Sequence, residues 1–524
     1  MNSVLWLARR ADVRSSARRD AARIVLALCL AACGERVEPP GAENVAGPRT
    51  REVGSLVQGA SMAAAADAVT GTIADNLPFM TTSDGLEKLA SIAWRTWIYT
   101  DTGPARTRYG YLRAGSVVPA RGPKLVNAGC EGGWLRINPR GFVCLGLGAT
   151  LDLAHPVVVA TQVRPVRRAG LPYHYAMADG VPPLLYFRLP SAEQMSESEG
   201  GDITVRAESF RERARHAGLL EDLGEIGAPP AFLQGGAKLE KPYGVEQPLR
   251  YQTHAGPAAA DSGFALLQAF EWEKRLFGLS SELDLIALDR TKLVRESKFR
   301  GIELAESESL PAGFAKSYAE RYALLESGAF VPRAALAPRE GVKLTGQRKR
   351  EFLETQEGSW VLAAALRQLM PRESFPSFAT GERKWLDISI KQQSLVAYVG
   401  KKPVYATLIS SGRGGLGDPE ETQATPRGTF MIYQKELTST MDGDEDEGDS
   451  YSLRDVPFVQ YFHKGFALHG TYWHDEFGQL RSHGCVNLSP IDAAWLFEWT
   501  DPSLPPDWHG VINKDRGTVV YIHP

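Results

Sequence analysis

The sequence predicts a mainly β, multidomain chain. At 524 residues it is longer than a single hydrophobic core organises, so several domains are expected. Its 51 glycines and 33 prolines supply many turns, which suits short strands better than long helices. Two stretches, 92–150 and 385–524, alternate apolar and polar residues between those turns, the period of strands with one buried face. Between them, residues 151–308 hold no sustained period and read as a mixed α/β middle region of unassigned fold. A helix is expected over 208–224 and a strand and turn in LDLIALDRTKLV. The net charge of −3 gives no electrostatic reason to expect a nucleic acid as partner.

The first 33 residues read as an export signal rather than as part of the fold. Arg9, Arg10, Arg14, Arg18, Arg19 and Arg23 precede the apolar run IVLALCLAAC, which is too short to span a bilayer as a stable helix. Leu30-Ala31-Ala32-Cys33 resembles the bacterial lipobox. That resemblance implies lipidation of Cys33, a membrane anchor, and a periplasmic location. Gly34 after the cysteine implies the outer membrane. Residues 34–84 are rich in Pro, Ala, Ser and Thr and read as a flexible tether.

Export changes the meaning of the remaining cysteines. Cys130 and Cys144 are close in sequence, and in an oxidising compartment such a pair is expected to bridge, adding ~3 kcal/mol by loop closure. Cys485 is then the odd thiol, more than 300 residues from either partner. An unpaired thiol in an exported protein is a liability unless it is used.

Residues 92–150 resemble a bacterial SH3-like module through Gly115, Trp134, Gly141 and Val143, with the Cys130–Cys144 pair stapling strands around Trp134. Residues 309–368 are expected to repeat it, with Gly358-Ser359-Trp360 aligned on Gly132-Gly133-Trp134. In 385–524, WLDISIKQQSLVAYVGKKPVYATLISSG reads as two strands, and NLSPIDAAWLFEWT as a helix with Ser489 as N-cap, Pro490 at its first position and Asp492 in its first turn. The acidic run 441–452 reads as a solvated loop or flap, its glycine misplaced for a calcium-binding EF-hand.

The chemistry concentrates around RSHGCVNLSP, Arg481 to Pro490. Six of the ten histidines lie between His463 and His523. Cys485 is a candidate nucleophile, which needs a base or a lowered pKa to form thiolate at neutral pH. His469, on a separate strand end, and His483, two residues from the thiol, are the candidate bases, each able to form a thiolate–imidazolium pair. The competing readings are a zinc site made by His469, His474, His483 and Cys485, and a buried structural cysteine among scattered histidines.

His469-Gly470 followed by Ser482-His483-Gly484-Cys485-Val486-Asn487 resembles the signature of the L,D-transpeptidase (YkuD) family. Ser410-Ser411-Gly412 and Thr425-Pro426-Arg427-Gly428-Thr429-Phe430 match its upstream blocks in order. The spacer between His469 and Ser482 is shorter than in the commonest members. The resemblance implies a β-sandwich with a helix after the cysteine, and no metal or organic cofactor. It implies that Cys485 attacks a peptidoglycan stem peptide with His469 as general base and acid. Gly470 would orient the His469 ring, and His483 and Gly484 would lie beside the oxyanion, with Tyr461 as a further donor. Ser482 and Asn487 would hold the loop, and Arg481 would bind a substrate carboxylate. A hydrolase on the same scaffold and a catalytically dead wall-binding lipoprotein are the alternative functions.

Overall fold

The computed structural model describes residues 87–167, 170–245, 251–443 and 451–524. The export signal with Cys33 and the tether 34–84 lie outside the described residues, as does 444–450 of the acidic run.

The C-terminal domain is built from two sheets. The first runs in the order Ile302–Glu303, Lys402–Leu408, Ser394–Val399, Lys384–Ser389, Val519–His523, Gly428–Met431. Its third and fourth members pair antiparallel, while Lys384–Ser389 and the last strand Val519–His523 pair in parallel. The stretch read as two strands is three, because Gly400 turns the chain between Val399 and Lys402 without disturbing the alternation. The second sheet runs Gly510–Ile512, Gln434–Asp442, Ser452–His463, Phe466–Gly470, Val486–Leu488. Leu386, Ile388 and Leu395 of the first sheet share one core with Leu468, Val486 and Leu488 of the second and with Leu496 and Phe497 of the helix.

That helix spans Pro490–Trp499, and its start follows the sequence reading. The Ser489 hydroxyl accepts from Asp492 N at 3.1 Å and Pro490 occupies the first turn. Asp492 does more than complement the helix dipole. It is fully buried and accepts from Tyr405 Oη at 2.7 Å, Gly301 N at 2.8 Å and the Thr407 hydroxyl. It thereby joins the helix to the first sheet and to the connector before the second small module.

Two small barrels flank this domain. The first uses Lys88–Ser91, Thr96–Tyr99, Arg108–Leu112, Val117–Asn127, Cys130–Ile137, Phe142–Cys144 and Ala149–Thr150. The second uses Ala312–Ala315, Ala319–Leu324, Phe330–Leu336, Gly341–Lys349, Phe352–Thr355, Trp360–Leu362 and Leu366–Leu369. In both, the first strand pairs with the fourth and seventh, the second with the third and sixth, and the fifth lies between the fourth and sixth. The strand pairing therefore repeats, but the motif alignment that suggested it does not. Trp134 lies on the fifth strand of its barrel and Trp360 on the sixth strand of the other. The turn Gln356–Ser359 corresponds instead to Asn138–Gly141. Cys130 and Cys144 form a disulfide, S–S 2.01 Å, beside Trp134.

The middle region is a curled antiparallel sheet carrying helices Ala192–Glu199 and Ile203–His216. The second helix starts earlier than the sequence suggested, at the Asp202 N-cap, and ends at His216 before a short turn Leu219–Asp222. Its core encloses ionised groups: Arg275 pairs with Glu199 and Asp289, each at 2.7 Å, with all three almost fully buried.

These parts do not hang as separate beads. The described residues all fall in the one compact unit Thr70–Pro524. Sheet pairing runs from the first barrel into the C-terminal domain at Gly110↔Val511 and Tyr111↔Gly510, and from that domain into the middle region at Gly263↔Leu453. The buried carboxylate of Asp455 sits where the three meet. An extra residue between Leu453 and Val456, relative to Ser439 and Met441, makes a bulge, and Asp455 adopts φ 49 there. Its oxygens meet Arg113 of the first barrel at 3.0 and 3.1 Å, Ser281 of the middle region, and Thr438 of the neighbouring strand. Its own carbonyl accepts from Tyr175 Oη at 2.7 Å. Burial alone would push this carboxyl up, but Arg113 and the two hydroxyls outweigh it and hold the carboxyl below the ordinary value of 3.8.

Removing one partner of a buried ion pair leaves the other uncompensated. Arg113→Met is therefore expected to cost about 3–5 kcal/mol in urea unfolding of the full chain. In the wild type the Asp455 contribution is complete above 3.8 and is lost as pH falls through its lower folded-state value, so the difference from Arg113→Met should shrink in strong acid. Equal urea midpoints for both proteins at pH 7 would contradict this.

Candidate active site

Strand register brings Cys485 and His469 together. Phe466–Gly470 and Val486–Leu488 run parallel, with Leu468 opposite Val486 and His469 opposite Asn487. One step back, Cys485 falls opposite Ala467, two residues before His469. Side chains alternate along a strand, so Cys485 and His469 project from the same face as diagonal neighbours. Both line a single cavity of about 500 Å³.

The His469 ring is set by its own strand. Nδ1 donates to the Gly470 carbonyl at 3.0 Å, which leaves Nε2 with its lone pair. Trp473 packs near the ring, centroids 5.8 Å apart. The imidazole is 2 % exposed, and burial lowers its pKa to about 4. Burial pushes the Cys485 thiol the other way, to about 11. Both shifts oppose ionisation of the two groups at rest. The desolvation that shapes the site thus works against the expected thiolate–imidazolium pair.

The loop before Cys485 is locked by Ser482. Its hydroxyl accepts from Gly484 N at 3.1 Å and donates to the Cys485 carbonyl. The Gly484 N–H is thus committed to the loop and its contribution is conformational. Its φ is 123°, and a Cβ would sit 2.5 Å from the Phe466 ring. The upstream blocks buttress the same loop. Ser410 exchanges both backbone hydrogen bonds with Asn487, Gly412 bridges to Ser482, and the Thr425 hydroxyl accepts from Gly412 N at 2.9 Å.

Residues 383–522 match the YkuD family model, the L,D-transpeptidase catalytic domain. The chain is also 27% identical over 125 residues to the putative L,D-transpeptidase YciB of Bacillus subtilis, covering 22% of this chain and 59% of that protein. It is 31% identical over 118 residues to L,D-transpeptidase 1 of Mycobacterium tuberculosis, covering 20% and 46%. Among solved structures it aligns with the catalytic domain from the E. faecium L,D-transpeptidase at 25% identity and TM-score 0.21, covering 27% of this chain and 98% of that one. The L,D-transpeptidase from Mycobacterium smegmatis aligns at 20% identity and TM-score 0.22, covering 35% and 82%. The chain spans about half the length of the curated relatives it matches.

The other residues of the L,D-transpeptidase domain singled out from sequence are distributed around this pair. His483 lies on the cavity wall, stacked on Tyr451 with centroids 5.4 Å apart and in contact with Arg413. Arg481 also lines the cavity and pairs with Glu476 on the same side. Asn487 Nδ2 meets His474 Nε2 at 3.0 Å, and His474 Nδ1 accepts from Glu476 N at 3.3 Å. The three imidazoles considered as zinc ligands thus turn to different protein partners. Among the described residues no group of three His, Cys, Asp or Glu is arranged around one point. Tyr461 is half-buried, its hydroxyl 3.3 Å from Ser439 Oγ, and it lies close enough to Cys485 to feel the charge of that thiol, although it is not among the residues lining the cavity.

Sequence reasoning missed Arg413, Trp473, Met177 and Asp261, all on the cavity wall. Arg413 and Trp473 stand within or beside the quoted motif blocks and were within reach. Met177 and Asp261 belong to the middle region, outside the matched domain, and nothing local marks them.

The titration order yields a direct prediction. Alkylation of Cys485 by iodoacetamide, followed by intact mass against pH, should rise with an apparent pKa of about 11 rather than the ~8.5 of a free thiol. A rise centred below pH 7 would show a preformed thiolate–imidazolium pair and contradict this description.

Proposed function

We propose that this protein is an exported peptidoglycan L,D-transpeptidase. The supporting observation is the pair Cys485 and His469 on one sheet face, opening into one cavity, with Nδ1 of the imidazole already committed to Gly470. Cys485 Sγ attacks the carbonyl before a terminal D-residue of a stem tetrapeptide. His469 Nε2 takes the thiol proton and returns it to the departing amine, so the C–N bond breaks as the C–S bond forms. An acceptor amine then attacks the thioester carbonyl, giving up its proton through His469 as the thiol is restored. The backbone N–H groups of His483 and Cys485, on either side of the committed Gly484 N–H, hold the oxyanion, and Arg413 and Arg481 attract the substrate carboxylate.

The remaining parts fit work at the wall. Lipidation of Cys33 anchors the chain in the outer membrane from the periplasmic side, and residues 34–84 act as the tether. The two barrels serve as SH3-like modules over 92–150 and 309–368. Tethering raises the local concentration of enzyme at its polymeric substrate.

The test is intact mass of the protein after incubation with a disaccharide-tetrapeptide. The expected result is an acyl adduct that is absent in Cys485→Ala, followed by a crosslinked muropeptide dimer. His469→Asn should slow adduct formation by about 10²–10⁴-fold. An adduct that decays only to free tripeptide would replace the transferase with a hydrolase, and a reactive thiol that forms no adduct would refute both.

A further inference from the structure

The wall of the active-site cavity is not supplied by the L,D-transpeptidase domain alone. Met177 and Asp261 come from the middle region. Their placement is rigid. Gly263, two residues after Asp261, pairs with Met177 on one side and with Leu453 of the catalytic sheet on the other. A Cβ at Gly263 would lie 2.3 Å from the Tyr472 hydroxyl, so only glycine permits this approach. Tyr472 stacks on Tyr175 of the middle region, centroids 4.1 Å apart, and belongs to the loop that follows His469-Gly470. The turn carrying Asp261 is thereby fixed with respect to the reacting pair.

Asp261 differs in charge from the other ionisable groups of the wall. Arg413, Arg481 and His483 form a basic side. Met177, Met441, Leu453 and Trp473 give the cavity its apolar surface. Asp261 is exposed, with φ 53 at the turn, and no described side chain pairs with its carboxylate. A cavity that, among the described residues, is lined by apolar side chains, by cations and by one unpaired carboxylate is suited to a ligand that carries an ammonium group as well as a carboxylate.

We propose that Asp261 is a specificity-determining residue that reads a substrate ammonium group in the active-site cavity. This rests on the transpeptidase reading and adds to it a subsite supplied from outside the matched domain. The ammonium belongs either to the side chain of the acyl donor or to the acceptor amine as it arrives. The chemistry of recognition is the same, a charge-assisted contact that is lost when the nitrogen is acylated.

The test uses the full chain and Asp261→Asn, which keeps the shape and the positive φ that asparagine tolerates. In the donor arm, kcat/KM for thioester formation is measured with a stem tetrapeptide bearing a free side-chain amine and with the same peptide acetylated at that amine. Wild type should prefer the free amine by about tenfold and Asp261→Asn should show no preference. In the acceptor arm, the thioester is formed from the acetylated donor and partitioned between water and an added diamine or a neutral-ended monoamine. If the acceptor is the source, the preference for the diamine is lost in Asp261→Asn in this arm only. Asp261→Lys should reverse whichever preference is found. Equal iodoacetamide alkylation of Cys485 in wild type and variants shows that the fold and thiol are intact. A preference that survives Asp261→Asn, or no preference in either arm, overturns the proposal alone. Absence of any thioester on wild type overturns the transpeptidase reading and this proposal with it.

Discussion

The carboxylate of Asp455 is the point at which three separately built parts of the chain become one body. It is fully buried, and an isolated charge in that position would be costly to hold in place. Arg113 of the first barrel and the hydroxyls of Ser281 and Thr438 repay that cost together. Each comes from a different part of the structure, so the carboxylate is satisfied only when all three are docked. The bulge that turns Asp455 inward lies in the same strand that carries Leu453, the contact with Gly263. The geometry of the cavity wall is therefore set by the same local distortion that anchors the neighbouring parts.

A second consequence of this enclosure is the protonation state of the reacting pair. The cavity excludes enough water to drive the imidazole pKa down and the thiol pKa up. A thiol whose ionisation is disfavoured is slow to oxidise, since the thiolate is the reactive species. The Gly470 carbonyl holds the His469 ring with its free lone pair on Nε2. Ser482, whose hydroxyl spans the turn from Gly484 to the Cys485 carbonyl, fixes the conformation of that turn.

Much of this was legible in the sequence because it is local. The spacing of His469, Ser482, His483, Gly484, Cys485 and Asn487 marked the domain that matches the YkuD family and the residues gathered at its cavity, and Ser489-Pro490 fixed the helix start. Alternation marked the strands, although it could not separate two from three where Gly400 breaks the chain without breaking the period. What was not legible is tertiary. Nothing around Asp455 or Gly263 distinguishes them in sequence, and the first-turn position of Asp492 does not disclose its tertiary role, since Arg113, Tyr472 and Gly301, a partner of each, lie more than a hundred residues away. The repeat of the barrels shows the same limit in reverse. A Gly-x-Trp likeness suggested it, yet the strand pairing repeats while the two tryptophans occupy different strands.

The most direct test of the Asp455 junction is hydrogen–deuterium exchange of the full chain, wild type against Asp455→Asn. If this carboxylate couples the three parts, protection should fall together in Arg108–Leu112, in His174–Ala178 and in the loop Thr471–Trp473, as well as around residue 455. A loss confined to the strand Ser452–His463, with the other three segments unchanged, would contradict the account and leave the first barrel and middle region as independently docked parts.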